Sequence, residues 1–221
     1  MSTRSDSRQL VLDRIRAATG NGSQSPAVGY AEIQRGYIRG GGLNPEKRLE
    51  LMIERLREYD AEVVEATPES VPTTIAAQLA ASGRHKFIVP AGLPVEWHIP
   101  GFDWKTDRGL TMAEMDQADG VVTGASCGIA DSGTIVLHHS RTEGRRVLTL
   151  LPDWHLCILH ASQVVETLPE YFARCAEPPV LATYISGPSA TADIEMTRIK
   201  GVHGPRFLHV IVVRDDSGKT N

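Results

Sequence analysis

Short apolar runs separated by amphipathic stretches recur along this chain, and that alternation confines it to few architectures. AEVVEA (61–66), HKFIVP (85–90), DGVVTGA (119–125), VLATYIS (180–186) and FLHVIVV (207–213) all have strand length. Between them lie helical patterns. Asn44 can cap a helix whose first turn suits Pro45, and Leu49, Met52, Ile53 and Leu56 form one apolar face. Further helices are predicted over about 69–81 and 111–117. Strand, helix and strand in repeating order imply crossover units, hence a mostly parallel sheet with helices on both faces.

The middle of the chain breaks this rhythm. CGIADSGTIVLHH (127–139) reads as a strand, an Asp-Ser-Gly turn and a second strand, and Thr142-Glu143-Gly144 starts another reversal before RRVLTLL. WHLCILH (154–160) continues this β-rich patch. A helix is predicted from Gln163 to Arg174, shortened or kinked by Pro169, and another from about Ala192 after the turn GPSAT. The expected fold is therefore α/β: a three-layer, Rossmann-like open sheet, mostly parallel, with an inserted antiparallel β element.

The first 43 residues have a different character. Leu10, Val11 and Ile15 give a short amphipathic helix over Ser7–Ala18, and the stretch from Thr19 to Leu43 ends in Gly40-Gly41-Gly42 and offers few anchors. The expected organisation is an N-terminal helix with a Gly-rich flexible arm (1–43), then an α/β domain (44–221).

Charge and composition exclude several roles. The net charge of −4 comes without a basic stripe, so nucleic acid is not an expected partner. No apolar run approaches the ~18 residues needed to span a bilayer, and the N-terminus lacks a signal-peptide core. Cys127, Cys157 and Cys175 are scattered and never form a CxxC pair, which fits neither a disulfide framework nor an iron–sulfur motif. A cytoplasmic location is the simplest expectation, with no cofactor bound by this chain and no metal ligands.

Three loops carry the candidate chemistry. In SGPSATADIE (186–195), Gly187 turns the backbone while Ser189, Thr191 and Asp193 stand where a helix would begin. Amides exposed there could hold a carboxylate or phosphate, at the end of a strand where open α/β sheets bind ligands. Capping by Ser189 or Thr191 explains the same residues. In Gly128–Thr134, a hairpin tip could present Asp131 as acid, base or acceptor, with Ser132, Gly133 and Thr134 beside it, although an ordinary hairpin needs the same residues. In GVHGPR (201–206), His203 titrates near neutrality and Arg206 could fork onto a carboxylate. His138 and His139 are consecutive on a predicted strand and point apart; His155 and Cys157 share a face but lack a third ligand. Arg141, Arg145 and Arg146 read as a solvated basic patch that could meet an acidic partner.

GIADSGTIVL, RRVLTLLPDWHLCIL, SGPSATADIE and GVHGPR, in that order, resemble the lactate-utilisation (LUD) family, close to its C component, over roughly 44–213. The resemblance implies a fold like that of the phosphopentose isomerase, glucosamine-phosphate deaminase and CoA-transferase superfamily. It also implies work with iron–sulfur partner subunits in oxidising L-lactate to pyruvate, the clusters sitting on those partners. The chain would then be a non-redox subunit supplying a small-carboxylate pocket or docking surface, as a monomer or a homo-oligomer. Two other readings compete with it. One is a stand-alone isomerase- or CoA-transferase-like enzyme using Asp131 or Glu195 as proton shuttle or nucleophile. The other is a non-catalytic small-anion-binding or sensor module.

Overall fold

The computed structural model describes residues 3–19, 30, 32–34, 36–175, 177, 179–188, 190–192, 198–201 and 203–215. Contacts divide the chain into Met1–Ile38 and Arg39–Asn221. In the first unit, α1 (Thr3–Thr19) leaves Leu10, Val11 and Ile15 exposed.

The second unit is built on a parallel sheet. Helix α2 (Pro45–Glu58) starts where Asn44 Oδ1 accepts a hydrogen bond from the Lys47 N–H at 2.9 Å, and it buries Leu49, Met52, Ile53 and Leu56. β1 (Glu62–Ala66), α3 (Val71–Ser82) and β2 (Lys86–Pro90) follow as the apolar pattern predicts. β3 (Asp103–Asp107), α4 (Met112–Asp116) and β4 (Gly120–Gly124) come next. With β7 (Trp154–His160) and β12 (Phe207–Val213) these strands form a six-stranded sheet in the order β1-β12-β7-β4-β2-β3. Every pairing in it is parallel.

A smaller sheet holds the interrupted rhythm. β5 (Cys127–Ile129) pairs antiparallel with β6 (Thr134–Leu137), β6 pairs antiparallel with β9 (Thr183–Ile185), and β8 (Val164–Val165) runs parallel to β5. α5 (Leu168–Arg174) begins after Thr167, whose hydroxyl accepts from the Glu170 N–H, with Pro169 in its first turn. The predicted start at Gln163 is thus early by one short strand, and Pro169 opens a shortened helix instead of kinking it.

Alternation along β7 sorts its side chains between two cores. Cys157 and Leu159 pack with Met52 and Leu56 of α2 and with Ile135 and Leu137 of the small sheet. Trp154, Leu156 and Ile158 pack with Ile75 and Leu79 of α3 and with Phe87. A strand buried on both faces is a central parallel strand. WHLCILH therefore belongs to the large sheet and not to the antiparallel patch.

Three other expectations need correction. RRVLTLL is no strand: Arg146–Thr149 forms a 3₁₀ turn that carries the chain into β7. VLATYIS supplies β9 of the small sheet, not a parallel strand. Where the sequence predicts a helix from about Ala192, Ala192 itself closes β10 (Ala190–Ala192), which pairs antiparallel with β11 (Arg198–Lys200); residues 193–197 lie outside the described residues. Hairpin pairing satisfies the backbone groups that a helical start would have left exposed.

Candidate functional site

Two of the loops singled out in the sequence meet on the last turn of α2. Gly133 has φ 57° and lies so close to Arg55 that a Cβ there would stand 2.6 Å from the Arg55 Cβ. Gly187, at φ 81°, approaches Tyr59 equally closely, 2.6 Å from both its Cβ and its carbonyl oxygen. Only glycine allows both the conformation and the approach. Side-chain hydroxyls then tie the loops together: Ser132 Oγ lies 2.8 Å from Thr134 Oγ1, which lies 2.7 Å from Ser186 Oγ.

Beyond Ser186 the two sheets part around a cavity of about 280 Å³. β9 and Ser186–Pro188 form one wall, and His203–Pro205, before β12, forms another. Arg146 and Thr149 of the 3₁₀ turn close a third side, with His155 of β7 and Leu208 of β12 also in the lining. The cavity thus lies beside the amino ends of β7 and β12 and at the carboxyl end of β9, whose following residues Ser186–Pro188 wall it. Its volume sits at the small end of ligand sites, which suits a molecule of a few heavy atoms.

The polar groups here differ in charge. His155 is 1% exposed, with Nε2 2.8 Å from Thr123 Oγ1, and burial drives its pKa from 6.5 down to about 4. It is therefore neutral at pH 7, a hydrogen-bonding group instead of a cation. Arg146 is exposed, and among the described residues no carboxylate pairs with it. No Asp or Glu is among the described residues that line the cavity. One guanidinium, hydroxyls and a neutral imidazole form an environment that accepts a small anion.

The remaining sequence candidates fall elsewhere. Asp131 sits exposed on the hairpin turn, where its N–H donates to the Glu166 carbonyl, and it does not line the cavity. Gly128 is buried in β5, where a Cβ would press on Leu159, Met52 and Val164 at 3.0–3.3 Å; packing accounts for it. Arg206 forks onto Asp153 through Nε (2.6 Å) and Nη2 (2.9 Å), holding that carboxyl below its usual range, so its fork is already filled. Ser189, Asp193 and Glu195 lie outside the described residues, and of Thr191 only the backbone is described, in β10.

His138 and His139 do not extend β6. His138 Nε2 lies 2.8 Å from the Tyr171 hydroxyl, and His139, at φ 57°, reaches the Thr183 hydroxyl and the Gly144 carbonyl. The Cys157 thiol faces the Gly124 carbonyl at 3.6 Å, and burial pushes its pKa to about 12. Among the described residues, no three His, Cys, Asp or Glu side chains gather as a metal site. Sequence reasoning missed Thr149 and Thr123 and read Arg146 as part of a solvated basic patch that could meet an acidic partner. The one available signal was the pair Arg145-Arg146 directly before an apolar run.

Comparison with known proteins follows the same stretch of chain. The LUD domain model matches residues 44–213. Lactate utilization protein C of Deinococcus radiodurans is 42% identical over 164 residues, covering 72% of this chain and 76% of that protein. Its counterpart in Bacillus subtilis is 35% identical over 124 residues, covering 52% and 51%. The crystal structure of a DUF162 family protein from Deinococcus radiodurans superposes with a TM-score of 0.65 at 35% identity, covering 78% of this chain and 99% of that one.

Proposed function

The chain belongs to the LUD domain family, and on that premise we propose that it serves lactate utilisation by holding a small carboxylate in the cavity between its two sheets. The observation that carries this reading is convergence. Ser186–Gly187, His203 and Arg146 come from three separate segments, yet all line one cavity of about 280 Å³. Arg146 supplies the charge for a carboxylate, and the hydroxyls of Ser186 and Thr149 suit the 2-hydroxyl or 2-oxo group of lactate or pyruvate.

Oxidising lactate requires an electron acceptor. The dispersed cysteines of this chain lead us to assign the iron–sulfur clusters implied by the family to partner subunits, with this chain binding substrate or product for them. A stand-alone carboxylate enzyme is the weaker reading, because Asp131 stands outside the cavity and none of the described lining residues is acidic.

Calorimetric titration of the full chain with L-lactate and pyruvate, and with acetate as control, tests the proposal. Saturable binding of lactate or pyruvate, weakened about tenfold or more by Arg146→Gln, is the expected result. Binding no tighter than that of acetate, or unaltered in Arg146→Gln, overturns it.

A further inference from the structure

A second concavity, of about 540 Å³, opens on the other side of Arg146. It lies at the carboxyl ends of β2 and β3, with Pro90 and Ala91 on one side and the loop His139–Arg146 on the other. The topology singles out this position. From β2 the chain moves outward to β3, whereas from neighbouring β4 it moves the opposite way, to β7 by way of the small sheet. Connections diverging from adjacent parallel strands open a crevice at their carboxyl ends; here Arg141 and Thr142 pack against Gly92 and Gly124 in it, and the groove lies beside them, toward β3.

The loop over this crevice is held at many points. The Gly92 N–H, just past β2, donates to the Arg141 carbonyl at 3.0 Å, and the Gly124 N–H, at the end of β4, donates to the Thr142 carbonyl at 3.0 Å. Glu143, 1% exposed, accepts from the Ser140 N–H and the Ser126 hydroxyl. Arg145 forks onto Asp107 at 2.8 and 2.7 Å, which neutralises the acid in the groove wall. A loop pinned this firmly, with His139 at φ 57°, is pre-organised. What it presents are Arg141 and Arg146, both exposed and both without a hydrogen-bonded or ion-paired side-chain partner among the described residues.

We propose that this groove is a binding site for a dianionic phosphate group, held by Arg141 and Arg146 at the carboxyl ends of β2 and β3. Two guanidiniums unpaired among the described residues match the charge and the several acceptor oxygens of a phosphate, and the concavity favours a small molecule over a flat acidic protein surface. Arg146 also lines the cavity between the sheets, so a carboxylate there and a phosphate here would share its guanidinium, whereas Arg141 belongs to the groove alone.

Titration of the full chain with inorganic phosphate and with pyrophosphate tests it. Arg141 lines only the groove and Ser186 only the cavity, so the two sites separate. Expected are saturable pyrophosphate binding that falls about tenfold or more in Arg141→Gln and persists in Ser186→Ala, with weaker binding at high salt. In the unaltered protein, pyrophosphate should shift the amide resonances of Gly92 and Thr142, not those of Ser186 and Gly187. Absence of saturable binding up to about 10 mM, a weak limit for any functional site, overturns the proposal. So do equal affinity in a folded Arg141→Gln and amide shifts confined to the cavity. Tight binding of an acidic peptide with none of pyrophosphate would reassign the groove to a protein partner and equally end it.

Discussion

Thr134 Oγ1 and Ser186 Oγ lie 2.7 Å apart, joining the hairpin turn of the small sheet to the loop that walls the cavity. Thr134 is 6% exposed and also meets Ser132 Oγ at 2.8 Å, so its hydroxyl serves two neighbours at once. Replacing Thr134 with Val keeps the shape and removes both contacts. The expected loss is about 1–2 kcal/mol, seen as a lower melting temperature, because two partly buried hydroxyls lose a partner. An unchanged melting temperature would show that the hydroxyl chain contributes nothing to stability.

Gly187→Ala should be far more damaging than Gly101→Ala, although both glycines have positive φ, 81° and 93°. Around Gly101 no atom stands within 4 Å of an added Cβ, so only the conformational cost of about 1–2 kcal/mol applies. At Gly187 the methyl would meet Tyr59, including its backbone oxygen, at 2.6 Å. Overpacking there adds roughly 1–3 kcal/mol. Denaturant midpoints of the two variants measure the difference directly.

These two loops show how much of the site was legible. A glycine after a strand and a histidine between small residues stand out locally, so Gly187 and His203, which line the cavity, were singled out. Arg146 enters the cavity only because the chain makes a 3₁₀ turn from Arg146 to Thr149, where apolar Val147–Leu151 suggested a strand. In the fold, β1, β2, β4 and β12 were readable because apolar side chains fill them. β3 was not: DWKTD is polar at an edge, where Asp103 and Lys105 are exposed. In β10 and β11, capping signals outweighed the strand preference of Thr191 and Ile199, and it is the pairing of the two strands that decides between them.

Acid stability should depend on His155. Its pKa is 6.5 when unfolded and about 4 in the burial of β7, so in that interval the unfolded chain binds the proton and the folded chain resists it. Unfolding free energy is then full above about pH 6.5 and declines as the pH falls toward 4, by about 3 kcal/mol from this group. In His155→Gln the decline over this range should be shallower. Denaturant melts at pH 7, 5.5 and 4 give the comparison; equal slopes for the two proteins would remove the histidine from the account.

Burial also sets the reactivity of the thiols. With Cys127 held at about 11 and Cys157 at about 12, neither carries appreciable thiolate at pH 8, and both are buried. Mass spectrometry after iodoacetamide treatment should find both unlabelled in the native chain and labelled in denaturant. Native labelling of Cys157 would mean that the β7 core opens to reagent.

The Gly-rich run before α2 is expected to be ordered at its end, because acidic side chains of the small-sheet region hold it. The Gly41 N–H donates to Glu170 Oε1 at 2.8 Å, and those of Gly42 and Leu43 donate to the two oxygens of Glu166 at 3.2 and 2.7 Å. Accepting the Gly41 N–H is the main reason the Glu170 carboxyl is held below its ordinary range. A depressed carboxyl contributes stability above its unfolded pKa and loses it on acidification through the folded value, so the strap should loosen in acid. Glu166→Gln removes the charge and one acceptor oxygen at any pH. Amide hydrogen exchange at Gly42 and Leu43 should then accelerate, roughly fivefold for each ~1 kcal/mol lost, while exchange in β12 stays unchanged. Exchange as fast in the parent chain as in the variant would show that the carboxylates do not hold this segment in solution.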